Sequence, residues 1–282
     1  MRDAVGVGVC YKASRIRISK SGHEIRSVED WLRYAPPKMG KRQWKDGRSA
    51  KELARSWFRK EFASPPEELR LLLEAAFGTE IVFDEARPEC IIELDDFRGE
   101  HRNCDLVVLC TAGTQRIVIN IDAKADEPFG DSTVGAYYDQ KLNSSSNVPK
   151  RIESLSVALF GNKPDAAIRS LRYQLLHSAA ATLIEAAAHK AEMGLFLVQE
   201  FYSASLNGTK LQQNRTDWMA FVRAFPELAT TEVDKNQIVG PISVPGDGRI
   251  QHSIPLYLGS FVSMCPEPTI DDVRNVKLHR SR

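Results

Sequence analysis

The run Ile117-Val118-Ile119-Asn120-Ile121 stops abruptly at Asp122-Ala123-Lys124. Its β-branched residues suit a strand, and that strand finishes on a carboxylate and an ammonium two residues apart. In extended chain, residues i and i+2 point to the same side. A second aspartate, Asp105, opens the strand-like segment DLVVLC, and the link TAGTQ between the two segments has hairpin length and contains Gly113. In a hairpin centred on Gly113-Thr114, Asp105 and Asp122 are equally far from the turn. They then pair across the strands and share a face with Lys124. A one-residue slip would send the two aspartates to opposite faces, so this convergence depends on the turn.

Two desolvated carboxylates side by side are costly unless a cation or a proton lies between them. Oxygen donors without histidine or cysteine suit a hard ion such as Mg²⁺ or Mn²⁺. An ammonium beside such an ion can orient an attacking water and offset charge growing on a phosphate. The chemistry open to these residues is hydrolysis of a phosphodiester.

The elements that must position them can be read in outline. Ser49 is placed to cap a helix, with Glu52 three residues on, and Leu53, Ala54, Trp57 and Phe58 form its apolar stripe. A second helix starts at Ser64-Pro65-Pro66 and runs to Gly78. Strands are expected at 90–94, 105–110 and 116–122. Residues 126–150 are polar and read as a loop over the site, with a short helix at VGAYYDQKL. One long alanine- and leucine-rich helix is expected over 165–191, leading directly into a strand at 195–201. A helix at 216–225 and a C-terminal hairpin around Pro245-Gly246-Asp247-Gly248 follow. This order is that of a mixed α/β fold. It is read as a single domain over 1–282, with a core at about 50–201, an N-terminal arm over 1–48 and a C-terminal helix and β-hairpin extension over 205–282.

With Asp105, then Asp122-Ala123-Lys124 at a strand end, and elements in this order, the chain resembles the PD-(D/E)xK nuclease superfamily. The likeness spans about residues 50–201 and implies a restriction-endonuclease-like core of helix, three-strand meander, helix and strand. It further implies Mg²⁺, with Mn²⁺ as a substitute, held by Asp105, Asp122 and the Ala123 carbonyl, while Lys124 orients the water. Cys104 departs from the family pattern, standing where proline often precedes the first aspartate. The family's remaining acid is usually a glutamate on the first core helix. Glu74, Glu52 and Glu68 are candidates, Glu74 being preferred because its helix directly precedes the first strand. Gln174 matches a glutamine that some branches carry on the second core helix, with Arg172 and Tyr173 beside it as phosphate or base contacts. The runs KDGRSAKELA, AKADEPFG and RYQLL together resemble a bacterial family to which no activity is attached.

Composition narrows the classes. Lys and Arg number 38 against 37 Asp and Glu, so global charge selects no partner. Locally, residues 38–60 hold nine Lys/Arg against Asp46 and Glu52, interleaved with Trp44 and Trp57. Lys41, Arg42, Lys45 and Arg48 suit a phosphate backbone, whereas Trp57 reads as core. The five cysteines are odd in number and lack CxxC spacing, and the six histidines are scattered, which speaks against zinc. No signal peptide or membrane-spanning run is expected, and the protein reads as cytoplasmic. P-loop, GxSxG and HExxH motifs are missing. The reading is a metal-dependent nuclease acting on nucleic acid, with DNA favoured over RNA. A nuclease-like fold kept only for binding nucleic acid or a protein is the alternative. Because enzymes that cut both strands often pair, a homodimer is also expected.

Overall fold

The structure, a computed structural model, describes residues 15–99, 101–202 and 208–265. Cys10 and the outer parts of the expected N-terminal arm and C-terminal extension lie outside the described residues. Along the chain come β1 (Arg17–Lys20), β2 (His23–Glu24), α1 (Val28–Tyr34), α2 (Ser49–Trp57), α3 (Glu67–Phe77) and β3 (Ile81–Ile92). Next are β4 (Arg102–Ala112), β5 (Gln115–Lys124), α4 (Val134–Leu142), α5 (Val148–Phe160), α6 (Ala166–Ser170) and α7 (Tyr173–Ala188). The last are β6 (Met193–Tyr202), α8 (Gly208–Arg223), β7 (Gln237–Ile242) and β8 (Leu256–Met264). The fold is mixed α/β, with one eight-stranded sheet in the order β2-β1-β3-β4-β5-β6-β8-β7.

The sheet's centre is the antiparallel meander β3-β4-β5, to which β6 adds in parallel, followed by β8. The β4–β5 register runs from Ala112↔Gln115 to Leu106↔Ile121. Its two-residue link is Gly113-Thr114, as the sequence predicts. Gly113 at φ +59° takes the first central position, where glycine sits in type II′ hairpins. One residue further along this register, Asp105 comes level with Asp122.

Helices cover both faces of the sheet. On one face, Ile152 of α5, Leu175 and Leu176 of α7 and Trp218 of α8 pack with Val107, Val118 and Phe196. On the other, Trp31 of α1, Leu53 and Trp57 of α2 and Leu73 of α3 pack with Val108, Ile119 and Leu195. A strand buried on both faces needs no polar alternation, which is why β5 reads as a continuous apolar run.

Several sequence expectations need correction. β3 begins at Ile81, well before residue 90, and its early half is masked by Asp84, Glu85 and Pro88. Proline is tolerated there because β1 pairs only with Glu85 and Ala86, so beyond them β3 is a free edge. The expected long helix is broken at Leu171-Arg172 into α6 and α7, both residues being extended. Their backbone instead meets residues 132–134: Val134 N–H donates to Leu171 O at 2.8 Å and Tyr173 N–H to Ser132 O at 3.2 Å. Residues 126–150 contain α4 as expected, but also the start of α5. Ser49 is the first helical residue rather than the cap, and Arg48 precedes it without a side-chain cap. The C-terminal strands do pair antiparallel, although residues 243–255 separate them.

Candidate functional site

Where β4 begins and β5 ends, the sheet opens into a cleft of about 350 Å³. Glu89, Asn103, Asp105, Ala123, Lys124 and Gln174 line it, facing Ser49 and Leu53 of α2. The cleft therefore lies at the C-terminal end of β5, and strand C-terminal ends are the usual place for a ligand in an open α/β sheet.

A hydrogen-bonded chain runs along its floor. Lys124 Nζ donates to Gln174 Oε1 at 3.4 Å, and Gln174 Nε2 donates to Asp122 Oδ2 at 2.9 Å. Ser178 Oγ donates to the same oxygen at 3.1 Å. Gln174 and Ser178 are four residues apart and so share one face of α7. Asp122 is fully buried, and its other oxygen is ion-paired with Arg102. Lys124 is buried too, with Nζ 5.3 Å from the Phe129 ring centre.

Asp105 accepts from Ala123 N–H at 2.9 Å through Oδ2. Burial, and then the charge of Asp122, pushes its pKa up from the usual carboxylate range. Glu89 also lines the cleft, as do Glu127 and Asp131, and is held by Asn103 Nδ2. Burial and the neighbouring Asp105 push Glu89 up to about 8. Its backbone lies at φ +50°, a region that non-glycine residues rarely adopt and that clusters at functional sites.

The sequence brings Asp105, Asp122, Lys124 and Gln174 to one place, and the structure has them there. It does not bring in the glutamates expected on the first helices. Glu74 accepts from Arg70 at 2.6 Å on α3, which packs mainly against β7 and β8 and also touches β3, and Glu74 does not line the cleft. Glu52 is buried against Gly47 N–H at 2.8 Å and Arg55 at 3.0 Å. Glu68 is held by Arg59 and Ser263. Glu89 was missed, because nothing in the local sequence marks a left-handed residue within a strand. Asp126 and Glu127 tie the loop after β5 to α2. Arg48 meets Asp126 at 2.7 Å, and Ser49 donates to Glu127 at 3.3 Å.

The basic residues divide. Lys41, Arg42 and Lys45 are exposed around a short 3-10 turn whose neighbours Lys38 and Gln43 reach the cleft wall. Arg172 is not available as expected: it is half-buried against Asp217 of α8 at 2.8 Å.

Asp105 and Glu89, with the carbonyl of Ala123, are hard oxygen donors suited to Mg²⁺ or Mn²⁺. Asp122 fits such a set once Arg102 leaves its oxygen. No group of three His, Cys, Asp or Glu side chains among the described residues is arranged to hold a metal ion. Nor is any helix among them long and apolar enough to cross a membrane.

The class defined so far is a mixed α/β protein with a carboxylate-lysine cleft at its strand ends. A family model described as a domain of unknown function (DUF6946) matches residues 24–263, and the chain belongs to that family. Neither a curated protein nor a solved structure matches it.

Proposed function

We propose that the protein is a metal-dependent nuclease of the PD-(D/E)xK type, hydrolysing phosphodiester bonds in nucleic acid, with DNA the favoured substrate. One observation carries this reading: Asp105 and Asp122 end level across a hairpin, with Gln174 hydrogen-bonded to Asp122 and Lys124 hydrogen-bonded to Gln174. The meander β3-β4-β5 with β6 parallel beside it supports a restriction-endonuclease-like core.

Asp105, Asp122 and the Ala123 carbonyl would hold the ion, with Glu89 in place of the glutamate sought on the helices. When bound, Mg²⁺ supplies Lewis-acid stabilisation of the phosphate and a more acidic water. Lys124 orients that water and offsets charge building on the phosphate oxygens. Gln174 holds the Lys124 amine and the Asp122 carboxylate in register. Lys41, Arg42 and Lys45 track the phosphate backbone at the cleft mouth.

A second reading has its own observation. Arg102 already neutralises Asp122, as a fixed internal cation would, and a site closed in this way would bind nucleic acid without cutting it. Cleavage of plasmid and linear DNA with Mg²⁺, Mn²⁺ or EDTA separates the two. A nuclease cuts only with metal and loses about 100-fold or more in rate in Lys124→Met while staying folded. Wild-type protein that binds DNA with metal present but never cuts it would establish the binding module instead.

A further inference from the structure

Arg102, Asn103 and Lys38 line the cleft on one side and a second cavity of about 370 Å³ on the other. That volume falls at the small end of ligand pockets. No Asp or Glu among the described residues lines this second cavity, whereas Arg98, Lys141 and Arg151 do, together with the rings of Tyr137 and Tyr173. Arg151 is fixed by Asp95 at 2.9 Å, and exposed Arg98 stands at the rim.

The lining therefore joins positive charge to two aromatic rings, with Ser146 and Asn147 as neutral polar neighbours. Inorganic phosphate would meet the cations but leave the rings uncovered. A nucleotide answers both: its phosphate suits Arg98 and Lys141, and the face of its base suits a tyrosine ring.

We propose that this cavity receives one unstacked nucleotide of the substrate strand. The base lies against Tyr137 with its polar edge toward Arg102 and Asn103, and its phosphate lies at Arg98 and Lys141. A nucleotide seated there cannot remain stacked in a continuous duplex. The substrate is therefore single-stranded, frayed, or opened locally as it binds, with the scissile phosphate across the shared wall in the cleft. This deepens the nuclease reading and rests on it for the identity of the strand.

The test is calorimetric titration of the full chain with the four 5′-deoxymononucleotides and with inorganic phosphate, in EDTA. The wild type binds at least one mononucleotide, and binds phosphate about tenfold or more weakly by comparison. Tyr137→Ala and the exposed Arg98→Gln each weaken the nucleotide about tenfold. Failure of every mononucleotide to bind, equal binding of phosphate, or affinity unchanged in both variants would overturn the proposal. Since the readout needs neither metal nor cleavage, the two readings fail separately. Nucleotide binding by a protein that never cuts removes the hydrolysis and leaves the pocket. Metal-dependent cutting without nucleotide binding removes the pocket alone.

Discussion

Asp122 is fully buried and is held by three side chains: Arg102, Gln174 and Ser178. A buried carboxylate that loses its charged partner is left uncompensated, at a cost of about 3–5 kcal/mol. Arg102→Met should therefore lower the melting temperature sharply. The nuclease reading adds a second expectation. Mg²⁺ or Mn²⁺ should restore much of that loss, because an ion that binds only the folded state stabilises it by mass action. Thermal melts with and without metal check both, and a loss that no divalent ion recovers would count against Asp122 as a ligand. His177 gives a separate residue-scale prediction. Burial first, and then Arg102, Arg151 and Lys124, hold its pKa well below 6.5, and the Tyr173 ring packs edge-on against it at 4.7 Å. Below that value the unfolded chain takes up a proton that the folded chain refuses. Stability then falls with acid by up to about 1.4 kcal/mol per pH unit. His177→Asn should flatten this limb in denaturant titrations at pH 5 to about 6.5, compared with the wild type.

At the scale of elements, the β4–β5 hairpin decides whether the two aspartates meet. Gly113 adopts φ +59° with open space around its missing Cβ, so Gly113→Ala meets only backbone strain. The expected cost is about 1–2 kcal/mol with the cleavage rate unchanged, since the register stays fixed by both covered faces. A variant that kept its stability but lost activity would mean that the turn does more than set register. This hairpin was legible in the sequence because its signals are local: a two-residue link with glycine, and two flanking runs of β-branched residues. Gln174 came from the family resemblance, and the helix around it was legible except for its break. The break at Leu171-Arg172 arises from pairing with residues 132–134, a distant contact that no local pattern encodes. Glu74 misled for the same reason. Its helix precedes the first meander strand in sequence and touches it, but it packs mainly against β7 and β8, which join the sheet last. Glu89 stayed hidden because its place in the cleft depends on a left-handed backbone within a long edge strand.

At the scale of the molecule, a formal charge of +1 gives no overall attraction for a polyanion. Any affinity for nucleic acid must come from how the charges are distributed. Cations already committed to internal carboxylates contribute little: Arg48 is paired with Asp126, Arg172 with Asp217 and Arg151 with Asp95. Lys41, Arg42 and Lys45 stand exposed beside the cleft wall, so they carry the backbone contacts in the proposed complex. Each phosphate neutralised releases condensed counterions, so log affinity falls with log salt by about 0.9 per contact on duplex DNA and about 0.7 on a single strand. Replacing all three residues by glutamine should therefore make that slope shallower by about 2.7 on a duplex or about 2.1 on a single strand. Fluorescence anisotropy across a salt series reads the slope directly for both substrates. The fold should tolerate the change, since none of the three side chains belongs to the core. An unchanged slope would move the backbone path away from this loop, toward the rim formed by Arg98 and Lys141. A slope that changes only with the single strand would place the loop on the unstacked segment that the second cavity is proposed to hold.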